Sequence, residues 1–77
     1  MKVLIKDYDA KDIIRFIREY VGLTQKEFSK KINKSYAWVQ SVELGRLNYK
    51  FDDLIKICTL FDLNIIIESN EKNKIHA

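Results

Sequence analysis

The side chains of this chain able to do covalent chemistry are few and badly placed for it. One histidine, His76, lies in a polar C-terminal stretch, and Ser35 and Ser41 have no neighbouring base or orienting group in the sequence. A nucleophilic site needs a base within hydrogen-bond reach of the nucleophile, so none can be assembled from these residues. Cys58, the sole cysteine, falls on an apolar helical stripe and reads as a core residue. One Cys and one His cannot supply the four ligands of a structural zinc site, so neither a metal nor a cofactor is expected. Asp52 and Asp53 read as charges at a helix start rather than as an acid/base pair. The chain is not expected to be an enzyme.

The pattern that remains is one of charge. Residues 24–50 carry Lys26, Lys30, Lys31, Lys34, Arg46 and Lys50 against Glu27 and Glu43, a balance of +4 within a chain whose formal net charge is +3. The positive excess is therefore concentrated in the middle third, as expected of a segment facing a polyanion.

Four helices must position that segment. Ile13, Ile14, Ile17, Tyr20 and Val21 recur at helical spacing and predict a first helix from about Ala10 to Val21, with Asp9 or Asp7 at its N-cap and Gly22 ending it. Thr24-Gln25-Lys26-Glu27 is a capping box that opens a second helix to about Ile32, burying Phe28 and Ile32. Asn33-Lys34 makes the turn, and Asn33 tolerates the left-handed conformation this requires. Ser35 caps a third helix, about Tyr36 to Leu44, which buries Val39 and Val42 and ends at Gly45. A fourth helix, about Phe51 to Phe61, carries the stripe Phe51, Leu54, Ile55, Cys58 and Phe61. Val3-Leu4-Ile5 and Ile65-Ile66-Ile67 are short β-branched runs without alternation, expected to be strands that either pair with each other or are covered by a second subunit. With no linker or repeat, residues 1–77 read as a single domain with a polar tail from 69 to 77.

Gly22-Leu23-Thr24-Gln25-Lys26-Glu27-Phe28 followed by Ser35-Tyr36-Ala37-Trp38-Val39-Gln40-Ser41-Val42-Glu43-Leu44-Gly45-Arg46 resembles the lambda-repressor/Cro (XRE) helix-turn-helix family, over about Ile13 to Leu63. Phe28 and Ser29 stand for the usual Leu-Ala, Asn33 for the usual turn glycine, and Lys50 where Ser or Thr usually caps helix four. The resemblance implies a mainly α, lambda-repressor-like DNA-binding domain of four to five helices with short N- and C-terminal β-strands, its helix-turn-helix at about 24–45. It further implies that Tyr36, Ala37 and Ser41 read base edges, with Gln40 a fourth candidate. Gln40 suits adenine and Ala37 a thymine methyl; no arginine stands on that helix to read guanine, so A·T-leaning readout is expected. Gln25 and Ser35 would meet phosphates at helix starts. Lys34, Arg46 and Asn48 would grip phosphates on either side, which sets register but not sequence preference. Trp38 has two readings: packing between helices two and three, or a phosphate contact. Arg18 and Glu43 match a family pair that ties helix one to the end of helix three.

The stretch from Asp53 to Glu68 is similar to that of HipB-type antitoxins, in which the last helix leads into a strand that pairs with its mate across a two-fold axis. Leu63, Ile65, Ile66 and Ile67 would then lie in a dimer strand, 63–68. A dimer also suits a palindromic operator in double-stranded DNA, because two recognition helices about 34 Å apart meet successive major grooves. The expectation is a sequence-specific homodimeric repressor, with an autoregulating antitoxin paired with a cognate toxin as one form of it. A phage-type or restriction-modification controller, or a protein-interaction module on the same fold, are the alternatives. No run approaches the roughly 20 apolar residues that span a membrane, the N-terminal run is too short for a signal peptide, and a single cysteine suits a reducing compartment, so a cytoplasmic protein is expected; the resemblance implies a bacterial, nucleoid-associated one. Ile66→Lys places a charge in the expected interface strand and should convert the dimer to a monomer in sedimentation velocity; a variant that stays dimeric rules that strand out.

Overall fold

A computed structural model describes residues 3–4 and 8–69. Its four helices are α1 (Ala10–Tyr20), α2 (Gln25–Lys31), α3 (Tyr36–Glu43) and α4 (Phe51–Leu60). One hydrophobic core joins them: Ile14 and Ile17 of α1, Phe28 of α2, Val39 and Val42 of α3, and Leu54, Ile57 and Cys58 of α4. Phe28, Ile14, Val39 and Val42 have no exposed side-chain surface to speak of, and Phe28 stacks on Phe61 with ring centroids 5.7 Å apart. Burial holds the Cys58 thiol in its neutral form by pushing its pKa up.

Each helix ends the same way. The residue after the C-cap takes a left-handed conformation, at Gly22 (φ 76°), Asn33 (59°), Gly45 (76°) and Asp62 (57°). The next amide then reaches back to the third residue from the helix end: Leu23 to Arg18, Lys34 to Ser29, Arg46 to Ser41 and Leu63 to Cys58, at 2.7–3.2 Å. These four Schellman motifs satisfy carbonyls that would otherwise be orphaned and turn the chain sharply between helices. Asp62 is the one stop signal among them that composition does not announce. At Gly45 a second constraint applies: a Cβ there would stand 3.1 Å from the Lys11 side chain. Side-chain bulk at that position would displace a lysine lying beside the negative end of α3.

The starts are capped less uniformly. Thr24 and Glu27 form a reciprocal capping box (3.1 and 2.9 Å), and the Ser35 hydroxyl accepts from the Trp38 amide at 3.0 Å. The accepted Thr24 amide keeps the exposed Glu27 carboxyl below its ordinary pKa. Asp9 occupies the N-cap of α1 without a side-chain capping bond. The N-cap of α4 is Lys50, whose side chain has no acceptor to offer. Asp53 serves in its place: one carboxylate oxygen accepts the Lys50 amide at 3.0 Å and the other lies 3.1 Å from the Lys34 ammonium. One carboxylate thus caps α4 and ties it to the turn between α2 and α3.

Three expectations are corrected. The buried stripe of α4 is Leu54, Ile57, Cys58 and Phe61, whereas Phe51 and Ile55 are 60% and 42% exposed. Tyr20 is 55% exposed and stacks on Phe16 instead of entering the core. No strand occurs among the described residues: Leu63 to Ser69 run as coil, with Leu63 packed on the core and Ile65, Ile66 and Ile67 exposed. Ile5 and the tail beyond Ser69 lie outside the described residues.

The accepted Lys50 amide, then the Lys34 and Lys56 cations, hold the Asp53 carboxyl below its ordinary pKa. A depressed carboxylate pKa adds stability that is complete above the unfolded value of about 3.9 and fades as pH falls through the folded value. Asp53→Asn should therefore lower the urea midpoint near neutral pH, and the gap from wild type should shrink below about pH 4. A gap independent of pH would show that the carboxylate charge contributes nothing.

Candidate nucleic-acid interface

Helices α2 and α3 are joined by residues 32–35, in which Asn33 supplies the left-handed bend and Ser35 the next cap. Along α3 the core takes Val39 and Val42. The remaining positions divide by the 3.6-residue period. Tyr36, Ala37 and Gln40 are exposed, and Ser41 is half-buried at the edge of the same surface. Together they form an outward face of one aromatic hydroxyl, one methyl, one carboxamide and one hydroxyl, all uncharged groups that can donate, accept or make apolar contact.

The far end of α3 is locked in place. Glu43, 5% exposed at its side chain, accepts from Arg18 Nε at 2.7 Å on one oxygen and from Arg18 Nη2 at 3.0 Å on the other. Gln25 Nε2 donates to that second oxygen, also at 3.0 Å, and Arg18 Nη1 donates to the Leu23 carbonyl at 2.9 Å. The bidentate geometry satisfies the carboxylate and joins α1, α2 and α3 through one group. Hydrogen bonding to Glu43 holds the Arg18 pKa above its usual value, so the guanidinium stays charged. Among the described residues no buried side-chain polar atom lacks a partner.

Several side chains assigned to phosphates have partners inside the protein. The Gln25 carboxamide is spent on Glu43. The Lys34 ammonium lies against Asp53 and 5.0 Å from the centroid of the Trp38 ring, a cation–π contact. Trp38 itself is half-buried against the core. Ser35, Arg46 and Asn48 are exposed, on either side of α3. Tyr49, between them and α4, donates its hydroxyl to the Ala10 carbonyl at 2.6 Å and so fixes the loop after α3 onto the start of α1. Neither Asp53 nor Tyr49 was legible as a positioning residue. For Asp53 a signal existed, since an acid three residues after a cap position is the second half of a capping box. The described residues hold no group of His, Cys, Asp and Glu able to bind a metal, and no helix long and apolar enough to cross a membrane.

No family model and no curated protein matches the chain. Among solved structures the chain is similar to one named MDT Protein, with a TM-score of 0.61 at 22% sequence identity over 92% of this chain and 99% of that one. At that identity the likeness is one of fold. It places these four helices in an arrangement already seen in another protein, compatible with a helix-turn-helix.

Arg18→Met, which leaves Glu43 charged and largely buried, should cost about 3 kcal/mol in urea unfolding. Adding Glu43→Leu should recover most of that loss, because the orphaned charge is then gone. Equal losses in the single and double variants would mean that the pair does not act as a unit.

Proposed function

We propose that the protein is a sequence-specific, double-stranded DNA-binding regulator of the helix-turn-helix type, acting as a homodimer. The observation that carries this reading is the outward face of α3. Tyr36, Ala37, Gln40 and Ser41 are left out of the core by a helix that is capped at its start and clamped at its end. A single helix fits the major groove, about 12 Å wide, and reads base edges with such side chains. The balance of +4 over residues 24–50 supports a polyanionic partner.

In this reading Tyr36, Ala37, Gln40 and Ser41 meet base edges, and Ser35, Arg46 and Asn48 meet phosphates. Lys34 and Gln25 act chiefly from within, one holding the turn to α4 and the other holding α2 to Glu43; the Gln25 backbone and the flank of Lys34 face phosphate at most secondarily. Arg46 is the one guanidinium beside α3 without an ion pair among the described residues, which makes it the strongest candidate for a fixed phosphate contact. The second copy is supported by Ile66 and Ile67, 63% and 95% exposed. Packing that segment against its symmetry mate would cover the isoleucines.

Selection from a pool of random duplexes, followed by sequencing, tests the reading. The wild-type protein should enrich a two-fold symmetric motif whose half-sites lean towards A·T. Gln40→Ala should relax preference at one position per half-site, by about 1–3 kcal/mol of discrimination. Arg46→Ala should weaken all sites alike and lower the salt slope by about 1. A pool that emerges unenriched from wild-type selection defeats the reading.

A further inference from the structure

A second surface of the protein has charge and shape that α3 does not account for. Between the end of α2 and the flank of α4 lies a cavity of about 230 Å³. Its apolar lining is Ile32, Ile57 and Leu60, and Leu60 is 52% exposed although it stands at the end of a core helix. Lys31 and Lys56 are exposed on its rim, and neither has a carboxylate within 4.0 Å among the described residues. The third cation there, Lys34, is already matched by Asp53. The lining therefore sets three ammonium groups, Lys31, Lys34 and Lys56, against the one carboxylate of Asp53, a net positive balance around an apolar floor.

A second, more open hollow of about 310 Å³ is lined by Leu23, Glu27, Lys30 and Lys31, so Lys31 borders both. Here too an apolar side chain sits beside cations, with Glu27 drawn into its own capping box. No residue of α3 lines either cavity.

We infer that this bipartite groove docks an acidic segment of a partner protein, a stretch of chain with an apolar side chain seated over Ile32 and Leu60 and carboxylates meeting Lys31 and Lys56. Charge complementarity chooses the sign of the occupant, and the apolar floor chooses its class. A phosphodiester backbone satisfies lysines but leaves Leu60 and Ile32 uncovered, whereas a peptide covers both. Two hollows that both border Lys31 suit a chain running along the surface better than a single small anion. Such a partner could bind while α3 is otherwise engaged, because no residue of α3 lines either hollow. The inference does not depend on the proposed DNA binding, and either can fail alone.

The test is selection of a random peptide library displayed on phage against the immobilised full chain. Enriched peptides should combine at least two Asp or Glu with a neighbouring Leu, Ile or Phe. The best of them, fluorescein-labelled, should bind Lys31→Glu/Lys56→Glu about tenfold more weakly in fluorescence anisotropy, as expected for reversed charges at a complementary surface. Leu60→Ala should also weaken it, and Lys11→Glu, on α1 and outside the groove, should not. Should the double reversal disturb folding by far-UV circular dichroism, Lys31→Gln/Lys56→Gln takes its place with a smaller loss in the same direction. Enrichment without acidic residues, or affinity indifferent to these lysines, overturns the inference. So does displacement of the peptide by non-specific duplex DNA at low salt, which would assign the groove to phosphate.

Discussion

The Glu43 carboxylate is the constraint on which the arrangement depends. It is nearly excluded from water, and a charge so placed is tolerable only when its lone pairs are met. Arg18 and Gln25 meet them from two other helices. The requirement to satisfy one anion therefore fixes where α1, α2 and the C-terminal end of α3 stand relative to each other. Hydrophobic burial of Ile14, Phe28, Val39 and Val42 supplies the driving force but is indifferent to small rotations of a helix. Directional bonds to Glu43 are not. What they preserve is the rotation of α3 that turns Tyr36, Ala37 and Gln40 to solvent.

The other end of the unit is held by Asp53 in a similar way. A carboxylate that caps α4 also engages Lys34 in the turn, and the Lys34 ammonium lies over Trp38. Between Glu43 and Asp53, both ends of α3 are referred to neighbouring helices by charged groups. The Schellman turns at Asn33 and Gly45 add local stiffness. The clustered cations of residues 24–50 thus divide into two populations: Lys34, engaged within the protein, and Lys26, Lys30, Lys31, Arg46 and Lys50, without ion pairs among the described residues.

Local features were legible in the sequence because local chemistry decides them. Thr24, Glu27 and Ser35 announce helix starts, and Gly22, Asn33 and Gly45 announce helix ends; the observed bounds fall within a residue of those expected. The rotation of α4 was not legible. Its apolar residues fall at 51, 54, 55, 57, 58, 60 and 61, so the spacing i, i+3, i+4, i+7 is satisfied equally from Phe51 or from Leu54. Only packing against Phe28 separates the two, and it selects Leu54, Ile57, Cys58 and Phe61. Strands were expected at both ends from β-branched composition and from the resemblance; among the described residues 63–69 run as coil, and Ile5 lies outside them. The roles of Lys34 and Gln25 were hidden because Asp53 and Glu43 lie far from them in sequence and near in space.

The central claim is that the solvent-facing side of α3 is the recognition surface. Titration of the ¹⁵N-labelled protein with duplex DNA, followed by two-dimensional amide NMR, tests it most directly. The account predicts that the largest shifts fall on Tyr36, Ala37, Gln40 and Ser41, with Ser35, Arg46 and Asn48 next, while α4 changes little. Shifts that spare α3, or that are spread evenly over the lysines of every helix, would contradict it.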